Sequence, residues 1–219
     1  SKFLNKTIKS FSKARSRFSV QNKRLLSAAD KNIFYQEENF KDFKNLLNVE
    51  EKNILEIGFG DGKHLYRQAE LNLDVFFLGV EVFESGLTNT YRRIIKNELK
   101  NLKLIQGDIA EIINLNKSLE IFTKIYVLFP DPWPKSKHKK RRLLKKQFIL
   151  GLKNLLKENG KLIIKTDWED YAEEIKINLN EIGLDFKFNE GENLFKTKYE
   201  EIAIKEKRKI FNFEITIDA

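Results

Sequence analysis

An acid held between two prolines is the centre of the sharpest chemical constellation in the chain. Residues 128–142 read LFPDPWPKSKHKKRR. Pro130 and Pro132 flank Asp131, and their fixed backbone limits where its carboxylate can point. Trp133 offers a flat face on which a base could stack. Behind it, residues 135–146 carry eight lysines and arginines and no acid. Such a run suits phosphates, which makes Lys137, His138, Lys139, Lys140, Arg141 and Arg142 candidate contacts to a nucleic acid. The plainer reading is a proline-stiffened turn with a packed Trp and solvated lysines.

A second constellation lies upstream. Residues 54–62 read ILEIGFGDG, an apolar run ending in Glu56, Gly58, Gly60 and Gly62. The glycines permit a sharp turn and let a ligand approach the backbone. A dinucleotide fingerprint would place its third glycine at position 63, which is Lys63. The pattern is instead G-x-G-x-G with an acid two residues before it, the form associated with S-adenosylmethionine methyltransferases. Two more acids end the next two apolar runs, Glu81 and Asp108. Three carboxylates at successive strand ends repel one another unless a cation joins them, and that cofactor carries an ammonium and a sulfonium. Glu81 stands where an acid can take ribose hydroxyls, and Asp108 beside the expected adenine. Helix N-capping is the alternative, and it suits Asp108 in particular.

The elements that must position these groups alternate. Residues 53–58, 74–82, 102–108, 123–130 and 161–167 read as strands. Helices follow from Gly62, from about Glu84 to Leu99, near Ala110, from about Arg142 to Lys157, and from about Trp168. Leu144, Phe148, Leu152 and Leu155 make one apolar face of the helix after the basic run. Strands that are apolar almost throughout, alternating with helices, imply a parallel α/β sheet buried on both faces. Ligands of such a doubly wound sheet bind beyond the carboxyl ends of the strands. Phe34, Phe40, Phe43 and Leu47 predict a further helix over 33–47. A weak strand is expected near Phe186, and 209–217 should pair antiparallel at the sheet edge.

Charge sharpens the partner. The 219 residues carry a net +9, but residues 1–24 hold eight lysines and arginines without an acid. With the run at 135–146 they exceed the whole surplus, so the remainder is net acidic. An acidic body with two basic segments favours a polyanion, nucleic acid above all. The division expected is a basic N-terminal arm over residues 1–30 and one domain over 31–219. There is no cysteine, which excludes disulfides and thiolate chemistry. No apolar stretch approaches a membrane span and the basic N-terminus lacks the apolar core of a signal peptide, so the expected location is cytoplasmic. His64 and His138 have no third ligand partner in the pattern, and no metal site is expected. The oligomeric state, monomer or homodimer, stays open.

At this point a resemblance becomes specific. The segments ILEIGFGDG, FLGVEV, QGDIAE, FPDPWPKSKHKKRR, KTDWEDYAE and TKYE resemble, in order and over residues 54–200, the tRNA (guanine-N7-)-methyltransferase family in its single-chain bacterial form. The resemblance implies a class I, Rossmann-like methyltransferase fold, S-adenosylmethionine as cofactor, and methylation of the variable-loop guanine of tRNA, position 46 in tRNA convention. By position it gives Glu56, Glu81 and Asp108 to the cofactor and Asp131 to catalysis. Lys135, Asp167 and Thr197, with Tyr199 and Glu200 beside it, go to the substrate, and residues 137–142 to the RNA. Asp167 capping the following helix is the competing reading there. An exocyclic-amino methyltransferase remains the runner-up, because such enzymes carry N/D-P-P-Y where this chain has Asp131-Pro132-Trp133. A nicotinamide-dependent dehydrogenase and a non-catalytic RNA-binding protein are the other classes.

Overall fold

The computed structural model describes residues 20–116, 119–191, 202, 206 and 208–218. Most of the expected basic arm, and Thr197, Tyr199 and Glu200, lie outside the described residues. Strands β1 (Phe34–Gln36), β2 (Asn53–Ile57), β3 (Phe76–Glu81), β4 (Leu102–Gln106), β5 (Phe122–Leu128), β6 (Leu156–Thr166), β7 (Lys187–Glu190) and β8 (Phe211–Thr216) form one sheet in the order β1-β4-β3-β2-β5-β6-β8-β7. The pairs from β1 through β6 are parallel, while β8 runs antiparallel to both β6 and β7. The last strand is thus antiparallel as expected and slots one place in from the border, leaving β7 as the outermost strand. Strand order reverses at β2, whose neighbours are β3 and β5, and the crevice of the fold opens there.

Helices cover both faces. Leu65 and Tyr66 of α2 (Lys63–Leu71) and Leu87, Tyr91 and Ile94 of α3 (Glu84–Lys96) pack on Phe77, Leu102 and Leu104, with Leu26 of α1 (Val20–Ser27) behind them. On the other face Ile112 of α4 (Ile109–Leu115), Ile149 and Leu152 of α5 (Lys146–Leu155) and Tyr171 and Ile175 of α6 (Glu169–Glu181) cover Leu55, Ile125 and Ile164. β3 contributes Phe77 to one core and Leu78 and Val80 to the other, the period-two alternation that makes its run apolar throughout. Each fully buried large side chain contributes about 1.5–3 kcal/mol. In α3, Glu84 in the first turn and Arg93 and Lys96 in the last complement the helix dipole.

The helix expected over 33–47 does not form. Phe34 lies in β1, paired parallel with β4 at the sheet edge, and short 3-10 turns follow at Glu37–Asn39 and Phe43–Asn45. Phe34 belongs to one core and Phe40, Phe43 and Leu47 to the other. A single helical face cannot reach both sides of a sheet, whereas a chain rounding its edge can. The helix expected from Arg142 begins at Lys146, because Ser136–Arg141 is itself a 3-10 turn.

Candidate active site

The loop after β2 is built from left-handed glycines. Gly58, Gly60 and Gly62 have φ of 66°, 59° and 76°, a region that side-chain-bearing residues rarely adopt. The Gly60 N–H donates to Glu81 Oε2 at 2.9 Å, and Glu81 Oε1 accepts from the N–H groups of Val82 and Phe83 at 2.8 and 3.2 Å. One carboxylate therefore ties the ends of β2 and β3 together. Burial pushes the Glu81 carboxyl above its ordinary 4.5; the three backbone donors oppose that shift and the charge of Glu56 adds to it. Glu56 is buried behind the loop, paired with Nδ1 of His64 in the first turn of α2. The His64 ring meets Tyr126 edge-on at 5.1 Å. Burial first, then Glu56, pushes the Tyr126 phenol up to about 12.

Beyond the strand ends lies a cavity of about 610 Å³. Its lining includes Gly58, Gly60, Glu81 and Asp108, which follow or end β2, β3 and β4, and Asp131 and Asp167, which follow β5 and β6 on the other side of the reversal in strand order. Asp108 caps α4, its Oδ1 accepting the Ala110 N–H at 3.0 Å, while its own N–H donates to Glu37 Oε2 at 2.7 Å. Asp108 thus caps α4 and also lines the cavity. Asp167 does not cap α6: the cap position is Trp168, with no side-chain cap bond. Its carboxylate instead pairs with Arg208 Nη1 at 2.5 Å. Asp131 Oδ1 accepts the Trp133 N–H at 3.1 Å. Phe129 and Trp133, on either side, hold φ of 52° and 42°. Two left-handed non-glycine residues around one acid mark a backbone held in strain by its surroundings.

Two expectations change. Trp133 is not an open stacking face: it is buried, with the Arg141 guanidinium 5.0 Å from its ring centre and His138 edge-on at 5.8 Å. Arg142 is not on the surface with its neighbours, since its side chain is 1% exposed. It donates to Pro132 O, Glu174 and Asp170, and lies over the Tyr171 ring. That position removes it from the RNA-facing set. Lys135, Lys137 and Lys140 are exposed, and His138, Lys139 and Arg141 half-buried. Partial burial, then the cations Arg141, Lys137, Lys135 and Lys140, lowers the His138 pKa from 6.5, so this ring is mainly neutral at pH 7. Glu56 and Gly62 stand behind the cavity wall rather than on it.

His64, Glu37, Gly86 and Arg208 carried no sequence signal that marked them as site residues, apart from Gly86. A glycine inside a helix costs about 1 kcal/mol and signals a close approach; a Cβ there would stand 1.7 Å from Gly60 O. Among the described residues no group of three or more His, Cys, Asp or Glu could hold a metal ion, and no helix is long and apolar enough to cross a membrane.

Comparison with known proteins agrees with this geometry. Residues 50–213 match a family model described as "Putative methyltransferase". The chain is 37% identical over 158 residues to the tRNA (guanine-N(7)-)-methyltransferase of Nitrosococcus oceani, covering 71% of this chain and 67% of that protein. It is 38% identical over 184 residues to the protein of the same description from Buchnera aphidicola subsp. Baizongia pistaciae, covering 80% and 75%. Among solved structures, the 16S rRNA methyltransferase KamB aligns with a TM-score of 0.61 at 16% identity, over 81% of this chain and 93% of that one, a likeness of fold.

Proposed function

The chain belongs to the tRNA (guanine-N7-)-methyltransferase family, and from that premise we propose that it methylates N7 of the variable-loop guanine of tRNA, position 46. Its cofactor is S-adenosylmethionine. The observation that carries the reading is one cavity lined by four carboxylates, Glu81 and Asp108 from the β3 and β4 side of the sheet and Asp131 and Asp167 from the β5 and β6 side.

The residues present fit this cofactor. Its cationic groups match acidic walls, and Gly58 and Gly60 let it lie against backbone that a side chain would block. In this reading Glu81 takes the ribose hydroxyls and Asp108 the adenine end. Bound there, the cofactor supplies an electrophilic methyl group on its sulfonium.

Guanine N7 has an in-plane lone pair and no proton to remove, so its attack needs positioning more than a base. Asp131 and Asp167 hold the guanine N–H edge, and Asp131 faces the positive charge that develops on the purine. Thr197, Tyr199 and Glu200 are assigned to the same pocket, with Lys135 at its exposed rim. Lys137, Lys139, Lys140 and Arg141 are assigned to tRNA phosphates.

Nucleoside analysis of unmodified tRNA after incubation with methyl-labelled cofactor tests this directly. Label in 7-methylguanosine at position 46 is expected. Label on an exocyclic amino group, or none, would overturn the assignment.

A further inference from the structure

The cavity wall carries one cation among its described residues, Arg208, and that cation is already paired. Its Nη1 lies 2.5 Å from Asp167 Oδ2 and its Nη2 2.9 Å from Glu206 Oε2. The two partners are unequal. Glu206 is 58% exposed and its pair is screened by water, whereas Asp167 is 16% exposed and faces the cavity. Asp131, the other acid on this side, accepts the Trp133 N–H and has no ion pair among the described residues.

Charge moves during the reaction proposed above, on which this argument rests. The N7 lone pair forms the bond to the methyl carbon while the carbon–sulfur bond breaks and its electron pair stays on sulfur. The formal positive charge would thus pass from sulfur to the purine, which the proposed reaction seats against Asp131 and Asp167. Two unbalanced carboxylates there would stabilise that charge as it forms and then retain the cationic product. One balanced and one free carboxylate divide the task.

We propose that Arg208 is a positioning residue that neutralises Asp167, making it a fixed hydrogen-bond acceptor for the guanine edge and leaving Asp131 as the group that answers the purinium charge. The ligand discriminated is the cationic, N7-methylated guanosine against the neutral one.

The test compares binding of one tRNA transcript before and after N7 methylation by the wild-type enzyme, in the presence of S-adenosylhomocysteine, for the full chain and its variants. In Arg208→Gln the preference for methylated over unmethylated tRNA should rise about tenfold, because an unbalanced carboxylate then faces the purinium. Arg208→Lys, which keeps the charge, should stay near the wild-type ratio. Adding Asp167→Asn to Arg208→Gln should abolish the rise. An unchanged ratio in Arg208→Gln, or a rise that survives in the double variant, overturns the proposal. A loss shared equally by both tRNAs also overturns it, since that marks an ordinary phosphate contact. Misfolding would lower both affinities and the thermal midpoint together without moving the ratio. Failure of wild-type protein to form 7-methylguanosine would instead defeat the underlying function.

Discussion

Arg142 Nε donates to the carbonyl oxygen of Pro132 at 2.7 Å, so the far end of the basic run fixes the turn that carries Asp131. The same guanidinium reaches Glu174 at 2.6 Å and Asp170 at 2.7 Å on α6. It is a strut between a helix and the turn that carries Asp131. A guanidinium holds these three acceptors with five N–H donors in one rigid plane, a geometry that the three rotating donors of an ammonium do not fix.

Replacing Arg142 by Gln leaves Glu174 with Lys145 alone, and because Glu174 is 23% and Asp170 51% exposed the loss should fall below the roughly 3–5 kcal/mol of a fully buried pair. Urea unfolding should show that loss, with turnover falling while the salt dependence of tRNA binding keeps its slope. A reduced slope would return Arg142 to the RNA-contacting set. Asp170 adds a pH signature. Hydrogen bonds from Lys139, then Arg142, hold its carboxyl below its ordinary 3.8. With the folded value depressed, its contribution is present above the unfolded value of about 3.9 and is lost as pH falls through the folded one. Wild type should lose more stability than Asp170→Asn between pH 5 and pH 3.

Lys137 and Lys140 behave oppositely. Both are exposed, so Ala at either should weaken binding of all tRNAs alike and reduce the salt slope by about 1. Turnover at saturating tRNA and the unfolding midpoint should hold. A fall in saturated turnover would mean that these lysines also shape the turn.

The contrast between Arg142 and its neighbours shows what a sequence of this kind can disclose. Eight cations without an acid declare a surface for phosphates, but their acidic partners on α6 lie some 30 residues on. One-dimensional charge counting cannot reveal which cation a helix will claim. Trp133 misleads in the same way, because its covering groups, Arg141 and His138, look like surface residues until the 3-10 turn folds them back. The parallel sheet, by contrast, was legible because its strands are apolar on both faces. The acids at its strand ends were legible because topology alone brings them together. The edge strand at Phe34 was hidden, since its aromatic spacing imitates a helix while feeding two different cores.

Asp131 is open to a simple rate measurement. Asp131→Asn keeps the acceptor of the Trp133 N–H while removing the charge, and Asp131→Ala removes both. Turnover should fall about 100-fold or more in each, with cofactor affinity unchanged, because the charge matters chiefly as the purinium forms. Near-normal rates in both variants would remove Asp131 from catalysis.

Glu81 links cofactor affinity to pH. Burial raises its pKa, so its carboxylate begins to take up a proton at a higher pH than an exposed glutamate does. The folded value lies above the unfolded one, so the folded state is favoured by protonation and this group's destabilising ionisation fades as pH falls. Cofactor binding has the opposite sign, since protonation removes a negative charge facing a cationic ligand. Calorimetry across mildly acidic pH should show affinity declining in wild type. In Glu81→Gln, affinity should be about tenfold weaker and flatter with pH, and an unchanged pH dependence would refer the effect to another group.

Gly86 offers a steric test of the cofactor loop. The Cβ of an alanine there would stand 1.7 Å from the Gly60 carbonyl oxygen, which is backbone and cannot rotate away. Either α3 must move or the loop must. Displacement of the loop would pull the Gly60 N–H from Glu81 and narrow the cavity wall. Gly86→Ala should therefore weaken S-adenosylmethionine binding at least about tenfold, although alanine is intrinsically the better helix former by about 1 kcal/mol. Gly183→Ala is the control: its φ is 70° with open space around the added carbon. There, strain of about 1–2 kcal/mol should lower the unfolding midpoint while cofactor affinity stays at the wild-type value. Equal losses of affinity in the two variants would show that global stability, rather than the contact with Gly60, governs the site.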